Sequence, residues 1–532
     1  MSDDKLRVLV SDPISQDGLD ILGSRPGITV TVKTDHRPEE LLAAIKDYDA
    51  LVVRSQTQVT AEVIAAAPRL RVIARAGVGV DNIDVRAATQ RGIVVVNSPE
   101  GNTMAAAEHT IALMLALSRN LPAASASLRR GEWARSKLVG VEVYHKTLGV
   151  VGLGKIGTEV VRRAQALGMK VLGYDPFITR EHAERLGVEV MELAELLPRC
   201  DYLTLHVPLN KDTRGIIGAK QLALAKDRIR IINVARGGLV DELALAEAIK
   251  AGKVAGAAID VFEKEPPPPD HPLLALDQVL ATPHLGASTE EAQIKVAVDV
   301  CEQVVDILGG GQARTAVNVT PLRPDMLSRL DPYLLLGEKL GRFASGLAEG
   351  RPVEVEAVYS GEVAELEVSA ITRALLKGLL SRAMEESVNM VNAMFLAEQR
   401  GLTVKESRSS APEDYNDLVT VRLRTEQGQV EVAGTLFGKR ELRIVRLDEY
   451  RVDVVPEGYV LVAPHTDMPG IIGQVGTILG NNDVNIATMQ LGRKTARGPA
   501  VMLLGLDNPV PGPALDQIRA VTGIRKVTVV EL

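Results

Sequence analysis

Three short segments hold the residues of this chain best suited to acid–base chemistry. They read Asn233-Val234-Ala235-Arg236-Gly237-Gly238, Asp260-Val261-Phe262-Glu263-Lys264-Glu265-Pro266 and Thr282-Pro283-His284-Leu285-Gly286-Ala287. Oxidising a secondary alcohol needs a base that works near neutral pH to take the hydroxyl proton while hydride leaves carbon, and histidine is suited to that task. A carboxylate such as Glu265 would hold the ring and favour its protonated form. A guanidinium such as Arg236 can grip a carboxylate through two parallel hydrogen bonds and polarise a developing carbonyl. Taken singly, each residue has a plainer reading: His284 as a loop cap, Glu265 as a solvated charge, Arg236 as a surface ion-pair partner.

A phosphate-binding turn stands upstream. Leu148-Gly149-Val150-Val151-Gly152-Leu153-Gly154-Lys155-Ile156-Gly157 is a strand running into G-x-G-x-x-G, with a helix expected from about Lys155 to Leu167. Gly152 permits a tight turn, Gly154 lets the backbone approach a pyrophosphate, and Gly157 lets the helix pack on the strand. The N–H groups and dipole of the helix N-terminus favour the phosphates. Alone, a glycine loop of this kind often only joins a strand to a helix. Here the next strand, Lys170–Tyr174, ends at Asp175, at the spacing of an acid that binds an adenosine ribose. Its carboxylate would accept from the 2′-hydroxyl and repel a 2′-phosphate, which favours NAD over NADP.

Such residues need strands whose carboxyl ends meet in a crevice. Strand-like runs alternate with helical patterns through about residue 310, among them Leu6–Val10, Ala50–Val53, Val72–Ala74, Leu148–Val151, Lys170–Gly173, Tyr202–His206, Arg230–Asn233 and Ala257–Asp260. That alternation predicts parallel sheets covered by helices on both faces. Turn-rich Asn97–Asn102 and the glycine loop Leu308–Gln312 mark changes of character; Ile371–Arg400 then reads as helix, Leu418–Leu423 and Gln429–Thr435 as strands, and Pro456-Glu457-Gly458 as a linker. A chain of 532 residues is too long for one core and divides into roughly three or four domains.

Composition narrows the partners. The net charge is −7 with no basic block, so nucleic acid is not expected. Met1–Lys5 runs directly into a strand without a signal-like apolar stretch. The most apolar helix candidate, Ala105–Leu117, is broken by Glu108 and His109 and is too short to span a bilayer, so no membrane is expected. Cys200 and Cys301 make neither a disulfide framework nor a metal-ligand set; they read as buried thiols of a reducing compartment, with the cytosol as the expected location.

In their order, the glycine loop, Asp175, Asn-x-Ala-Arg236, Asp260-x-x-Glu-x-Glu265-Pro and Pro283-His284 resemble the D-2-hydroxyacid dehydrogenase family. The resemblance implies Arg236 as carboxylate anchor, His284 as acid and base, and Glu265 as its partner. It also implies NAD contacts at Val78, Gly152, Gly154, Lys155, Ile156, Gly157, Asp175, His206, Val207, Pro208, Val234, Ala235, Asp260, Gly286 and Ala287. The implied fold is α/β: two doubly wound parallel-sheet domains, a substrate domain (1–97 with 289–317) holding an inserted Rossmann cofactor domain (98–288), then two α+β regulatory domains (318–455 and 458–532).

Within that family, Val53–Thr57, Arg75–Asn82, Glu100–Asn102, Gly131–Trp133 and His284–Thr289 are similar to members acting on 3-phosphoglycerate. A phosphorylated acid needs a second cationic pocket besides Arg236, for which Arg54, Ser55, Arg75, Gly77, Arg135 and Lys137 are candidates. Ordinary surface charge is the competing reading for Arg135 and Lys137. Unphosphorylated acids such as glyoxylate or hydroxypyruvate, and an NAD-sensing binding protein on the same fold, are the alternatives. Residues 318–455 resemble the intervening domain of long-form members; there Lys439, Arg440, Arg443 and Arg446 form either an anion site or a solvated strand face. The tail resembles an ACT domain, which implies a small effector such as L-serine at His465, Asp467 and Asn485, and the family implies a homodimer or homotetramer. On the plainer reading Asp467 caps the helix after it and Asn485 turns the chain.

Overall fold

Strands made wholly of small and branched apolar residues, such as Ala50–Val53 and Val254–Ile259, need cover on both faces, and helices supply it. The computed structural model describes residues 5–319, 324–381, 384, 388–409, 414–438 and 440–532. The first sheet is parallel, in the order Ile28–Val32, Leu6–Val10, Ala50–Val53, Val72–Arg75, Val94–Asn97. Strand order reverses between Leu6–Val10 and Ala50–Val53, so a crevice opens beyond their carboxyl ends, where Asp12 and Arg54 stand. Arg75 ends the neighbouring strand.

The second sheet is also parallel, in the order Val279–Ala281, Val254–Ile259, Ile229–Asn233, Tyr202–Leu205, Thr147–Val151, Lys170–Tyr174, Glu189–Val190. Its reversal lies between Thr147–Val151 and Tyr202–Leu205, beside the glycine turn. Helix Thr103–Ser118 packs on this sheet, with Ala107, Leu113 and Met114 in a core with Val150 and Tyr202. Helix Glu290–Leu308 returns to the first sheet, where Val296, Val300, Cys301 and Val304 pack with Val8, Val10 and Val52.

Two further sheets are built mainly from antiparallel pairs. One runs Thr403–Ser409, Pro352–Gly361, Asp417–Thr425, Gln429–Phe437, Glu441–Leu447, Tyr450–Val454, with only its first pair parallel. Helices Pro324–Leu347 and Val368–Leu380 cover it and pack on each other backbone to backbone: a Cβ on Gly341 would lie 2.0 Å from Leu375 O and one on Gly378 1.9 Å from Glu338 O. The last sheet runs Ile486–Arg493, Pro499–Leu506, Tyr459–Thr466, Thr528–Glu531, with helices Ile471–Asn481 and Gly512–Arg519 giving a β-α-β-β-α-β order. Its Val460, Val462, Leu503 and Val530 share one core with Leu340 and Phe343 of the preceding unit.

The single helix expected over Ile371–Arg400 is not formed. Helix Val368–Leu380 ends, and a second begins at Ala393 and closes at Gln399. Between them Asn389 Oδ1 accepts from the N–H groups of Val391 (2.9 Å) and Asn392 (3.2 Å), a side-chain turn that competes with helix. Among the described residues no single helix is long and apolar enough to cross a membrane; Thr103–Ser118 and Leu121–Arg129 approach that composition only as a pair bent by 63°.

Candidate active site

The turn after Thr147–Val151 is shaped by three glycines for three different reasons. Gly152 has φ +95°, and a Cβ there would meet His206 O at 2.6 Å. A Cβ on Gly157 would lie 2.0 Å from Gly152 O, so this glycine lets the helix Lys155–Ala166 start hard against the turn. At Gly154 a Cβ would meet nothing within 4 Å, and no side chain caps the helix there. Open space at an uncapped helix N-terminus fits a pyrophosphate. Asp175 stands at the rim: its carboxylate accepts from Leu153 N–H (2.8 Å) and Phe177 N–H (2.9 Å), bracing the turn with one bond to each oxygen and keeping acceptor capacity on both. These residues fit NAD.

His206, Val207 and Pro208 follow Tyr202–Leu205, with His206 Nε2 3.0 Å from the buried Thr204 Oγ1. Burial pushes the His206 imidazole far down, so it stays neutral. Val78 O accepts from Asn97 Nδ2, and Lys155 pairs with Glu100 of the segment joining the two sheets. Val234 and Gly286 face each other: a Cβ on Gly286 would come within 3.0 Å of the valine side chain. Ala235 N–H donates to Asn233 Oδ1. Ala287 closes the loop that leaves this contact.

His284 and Glu265 meet at 2.7 Å, Nδ1 to Oε2, although both are partly exposed. The contact assigns the proton to Nδ1 and leaves Nε2 able to exchange a proton with a ligand. His284 sits at φ +55°, a left-handed conformation uncommon outside glycine, and buried Asp260 holds it there. Asp260 accepts from Thr282 Oγ1 (2.6 Å), Leu285 N–H (2.8 Å) and Gly286 N–H (2.9 Å), and from His109 Nε2 (3.2 Å), while its carbonyl accepts from His284 N–H (2.8 Å). Asp260, expected at the cofactor, is fully buried with its carboxylate turned to these donors. Burial pulls the Glu265 carboxyl upward, but the bonds from His284 and from Phe262 N–H (3.0 Å) outweigh it and hold the group below the usual carboxylate range.

Arg236 is presented by a turn in which Asn233 Nδ2 donates to Arg236 O (2.9 Å). Gly237 presses on the loop bearing Glu265, since a Cβ there would lie 1.9 Å from Phe262 O. Arg54 and Ser55 occupy a loop clamped by buried Asp12, which accepts from Arg54 N–H (2.6 Å) and Thr57 Oγ1 (2.6 Å); Asn82 Nδ2 ties down the carbonyls of Arg54 and Thr57. The Arg75 guanidinium folds over Gly77, where a Cβ would collide with its Nη1 at 1.5 Å. Burial, then repulsion by Arg236 and Arg54, pushes Arg75 down to about 10, still charged at neutral pH; its buried Nε has no hydrogen-bond partner among the described residues. The fold therefore gathers three cations in one crevice. Arg135 and Lys137 lie apart, on an exposed one-turn helix with no ion pair or hydrogen bond to that cluster.

Asp12, Asn82, His109 and Thr282 carry this geometry without having stood out as site residues. Asp12 and His109 left a trace: a polar residue just past an apolar strand, and a histidine inside an apolar helix.

In the tail, Asp467 does not cap the helix after it; its carboxylate pairs with Arg493 (2.9 Å) and accepts from Arg497 N–H (3.2 Å). Asn485 donates to Asp507 (2.6 Å). His465, expected at an effector, is buried with Nδ1 donating to Ala463 O (3.0 Å). In the preceding unit Arg443 pairs with Glu441 and Asp453 and Arg446 with Glu431, the pattern of a solvated strand face; Lys439 lies outside the described residues.

A nucleotide turn, a His–Glu pair and an arginine at the carboxyl ends of two parallel sheets define an NAD-dependent D-2-hydroxyacid dehydrogenase. Residues 111–286 match the model for the D-isomer specific 2-hydroxyacid dehydrogenase NAD binding domain, and 329–448 that for the D-3-phosphoglycerate dehydrogenase intervening domain. The chain is 47% identical to D-3-phosphoglycerate dehydrogenase of Archaeoglobus fulgidus, over 99% of this chain and 100% of that one. It is 48% identical to the enzyme of that name from Synechocystis sp., over 99% and 95%. A crystal structure of the TT0316 protein of Thermus thermophilus superimposes with a TM-score of 0.55 at 36% identity, over 59% of this chain and 100% of that one. The chain belongs to the D-3-phosphoglycerate dehydrogenase family.

Proposed function

We propose that the chain oxidises D-3-phosphoglycerate at C2 to 3-phosphohydroxypyruvate, opening a route to L-serine. The observation that carries this reading is the cluster of Arg54, Arg75 and Arg236, a crevice for an acid with an anion at each end. The names of the relatives support the same substrate. NAD, when bound, supplies the acceptor for the C2 hydride.

Arg236 grips the carboxylate and stabilises the growing negative charge on the C2 oxygen. Arg54, Ser55, Arg75 and the backbone at Gly77 hold the phosphate. His284 Nε2 takes the hydroxyl proton, and Glu265 stabilises the imidazolium that results; in reduction the same proton returns. The glycine turn, Lys155 and Ile156 hold the pyrophosphate, Asp175 the ribose, and the loops at Val78, His206–Pro208, Val234–Ala235 and Gly286–Ala287 the rest of the dinucleotide. Asp260 serves by positioning the His284 loop.

The domains are read as 1–97 with 289–317, 98–288, 318–455 and 458–532, a division supported by the four sheets. Trp133, Val139, Tyr144, Leu128 and Leu121 are exposed at 82, 79, 57, 58 and 54%, and a second copy covering them would make the dimer, with Arg135 and Lys137 on the covered surface. Tail units joining across copies would complete a tetramer and an L-serine pocket at Asp467 and Asn485. Burial raises both thiols, Cys200 and Cys301, to about 12, as suits inert residues of a cytosolic enzyme.

Absorbance of NADH tests the substrate. Steady formation with 3-phosphoglycerate and far less with D-glycerate is expected; turnover confined to unphosphorylated acids would contradict it.

A further inference from the structure

Arg236 reaches the crevice from the second sheet, yet it is held from the first. Its Nε donates to Asp81 Oδ2 at 3.0 Å, and Nη1 donates to Ala235 O at 2.6 Å. Nη2 makes no hydrogen bond among the described residues. Asp81 lies in the loop that follows Arg75, and its side chain is 65% exposed, so the pair does not anchor a core. Gly79 makes room for it: a Cβ there would lie 2.1 Å from Arg236 Nη2 and 2.8 Å from Asp81 Oδ2. The guanidinium thus lies on the bare backbone of the loop, gripped at the Nε end.

We propose that Asp81 is a positioning residue for the reaction: by binding Nε it stops the guanidinium from swinging and leaves the Nη1/Nη2 end for the two oxygens of the substrate carboxylate. A carboxylate ligand that uses the end of the fork needs two N–H groups aimed in parallel, and a guanidinium free to rotate about its last bonds seldom presents them together. Asp81 also sets one negative charge among Arg54, Arg75 and Arg236, which are otherwise mutually repelling. Because Asp81 and Arg236 come from different sheets, their bond forms only when the two units stand as they do here, so aiming of the anchor is tied to the spacing of the crevice. This inference rests on Arg236 as the carboxylate anchor.

A double-variant cycle separates the two claims. Asp81→Ala, Asp81→Asn, Arg236→Lys and the Asp81→Ala, Arg236→Lys pair are compared in the full-length enzyme, by steady-state kinetics with 3-phosphoglycerate and by NADH fluorescence titration. Asp81→Ala should lower kcat/KM by roughly tenfold or more, chiefly through KM, with NADH affinity unchanged. Asp81→Asn, whose amide oxygen still accepts from Nε, should recover most of the loss, which a need for the charge alone would not allow. Lysine has no Nε–H, so adding Asp81→Ala to Arg236→Lys should cost little more. If Arg236→Lys alone leaves kcat/KM intact, the anchor reading fails. If Arg236→Lys is damaging while Asp81→Ala matches or exceeds wild type, the anchor stands and Asp81 is not its positioner.

Discussion

The crevice and the tail use the same residue types in opposite ways. In the crevice, polar atoms are left open while neighbours hold their owners: among the described residues His284 Nε2 and Arg236 Nη2 make no hydrogen bond, and Asp260 and Asn233 do the holding. In the tail, the polar atoms are engaged by neighbours in the same unit, Asp467 by Arg493 and Asn485 by Asp507, and His465 is inside the core. The proposed catalytic crevice is therefore assembled within a single chain. The proposed L-serine pocket requires a second copy, or an exchange of those ion pairs, before a ligand can bind there.

The largest effect that would sharpen the contrast is loss of the base. His284→Ala should lower kcat by roughly a hundredfold or more and leave NADH binding nearly unchanged, since general acid–base contributions are of that size. Near-normal kcat at neutral pH would break the assignment. Gly237→Ala should follow: with Phe262 O only 1.9 Å from the new Cβ, the turn carrying Arg236 must part from the loop carrying Glu265. A stability loss of about 1–3 kcal/mol and a fall in kcat/KM are expected, read by thermal unfolding and steady-state kinetics.

Glu265→Gln addresses the pair itself. The carboxyl lies below its ordinary range in the folded enzyme, so the stabilisation it brings is present above that range and lost as pH falls through it. Across neutral pH Glu265 is ionised, so its charge can stabilise the imidazolium formed during turnover. Glutamine keeps an acceptor for Nδ1–H but removes that charge, so kcat should fall by roughly tenfold or more, read by steady-state kinetics. An unchanged kcat would mean Glu265 only orients the ring. Asp175→Ala should weaken NAD by about tenfold and relax the exclusion of NADP, measured by titrating both cofactors. The smallest expected effect is in the tail. Asp467→Ala with Asn485→Ala should abolish slowing by L-serine, a coupling on the order of 1–3 kcal/mol if present. Wild-type enzyme indifferent to millimolar serine would remove that effector.

The legibility of these regions differed for a physical reason. In a parallel sheet, residues just past a strand must face the crevice, so Arg54, Arg75 and Asp175 could be placed from apolar runs alone, and Arg236 and His284 from the extended segments before them. The residues that hold them could not. Asp12, Asn82 and Asp260 act through backbone N–H groups and carbonyls of loops far along the chain, and no local pattern records which loop folds onto which. His109 reaches Asp260 across 151 positions. The helix wrongly expected to continue to Arg400 failed for a similar reason: the turn at Asn389 is reinforced by its Nδ2 donating to Gly92 O (2.9 Å) in the first sheet's unit. In the tail, whether a polar residue faces ligand, solvent or core depends on partners such as Arg493 and Asp507, which no local pattern records.

The central claim is that one end of the substrate is read by Arg236 and the phosphate by Arg54 and Arg75. The ratio of kcat/KM for 3-phosphoglycerate to that for D-glycerate tests it most directly, measured in wild type and in Arg54→Ala, Arg75→Ala. Wild type should favour the phosphorylated acid by roughly a hundredfold or more, since charged hydrogen bonds contribute about 1.5–3 kcal/mol each. The variant should lose most of that preference while D-glycerate turnover changes little. A double variant that still prefers 3-phosphoglycerate as strongly as wild type would contradict the account.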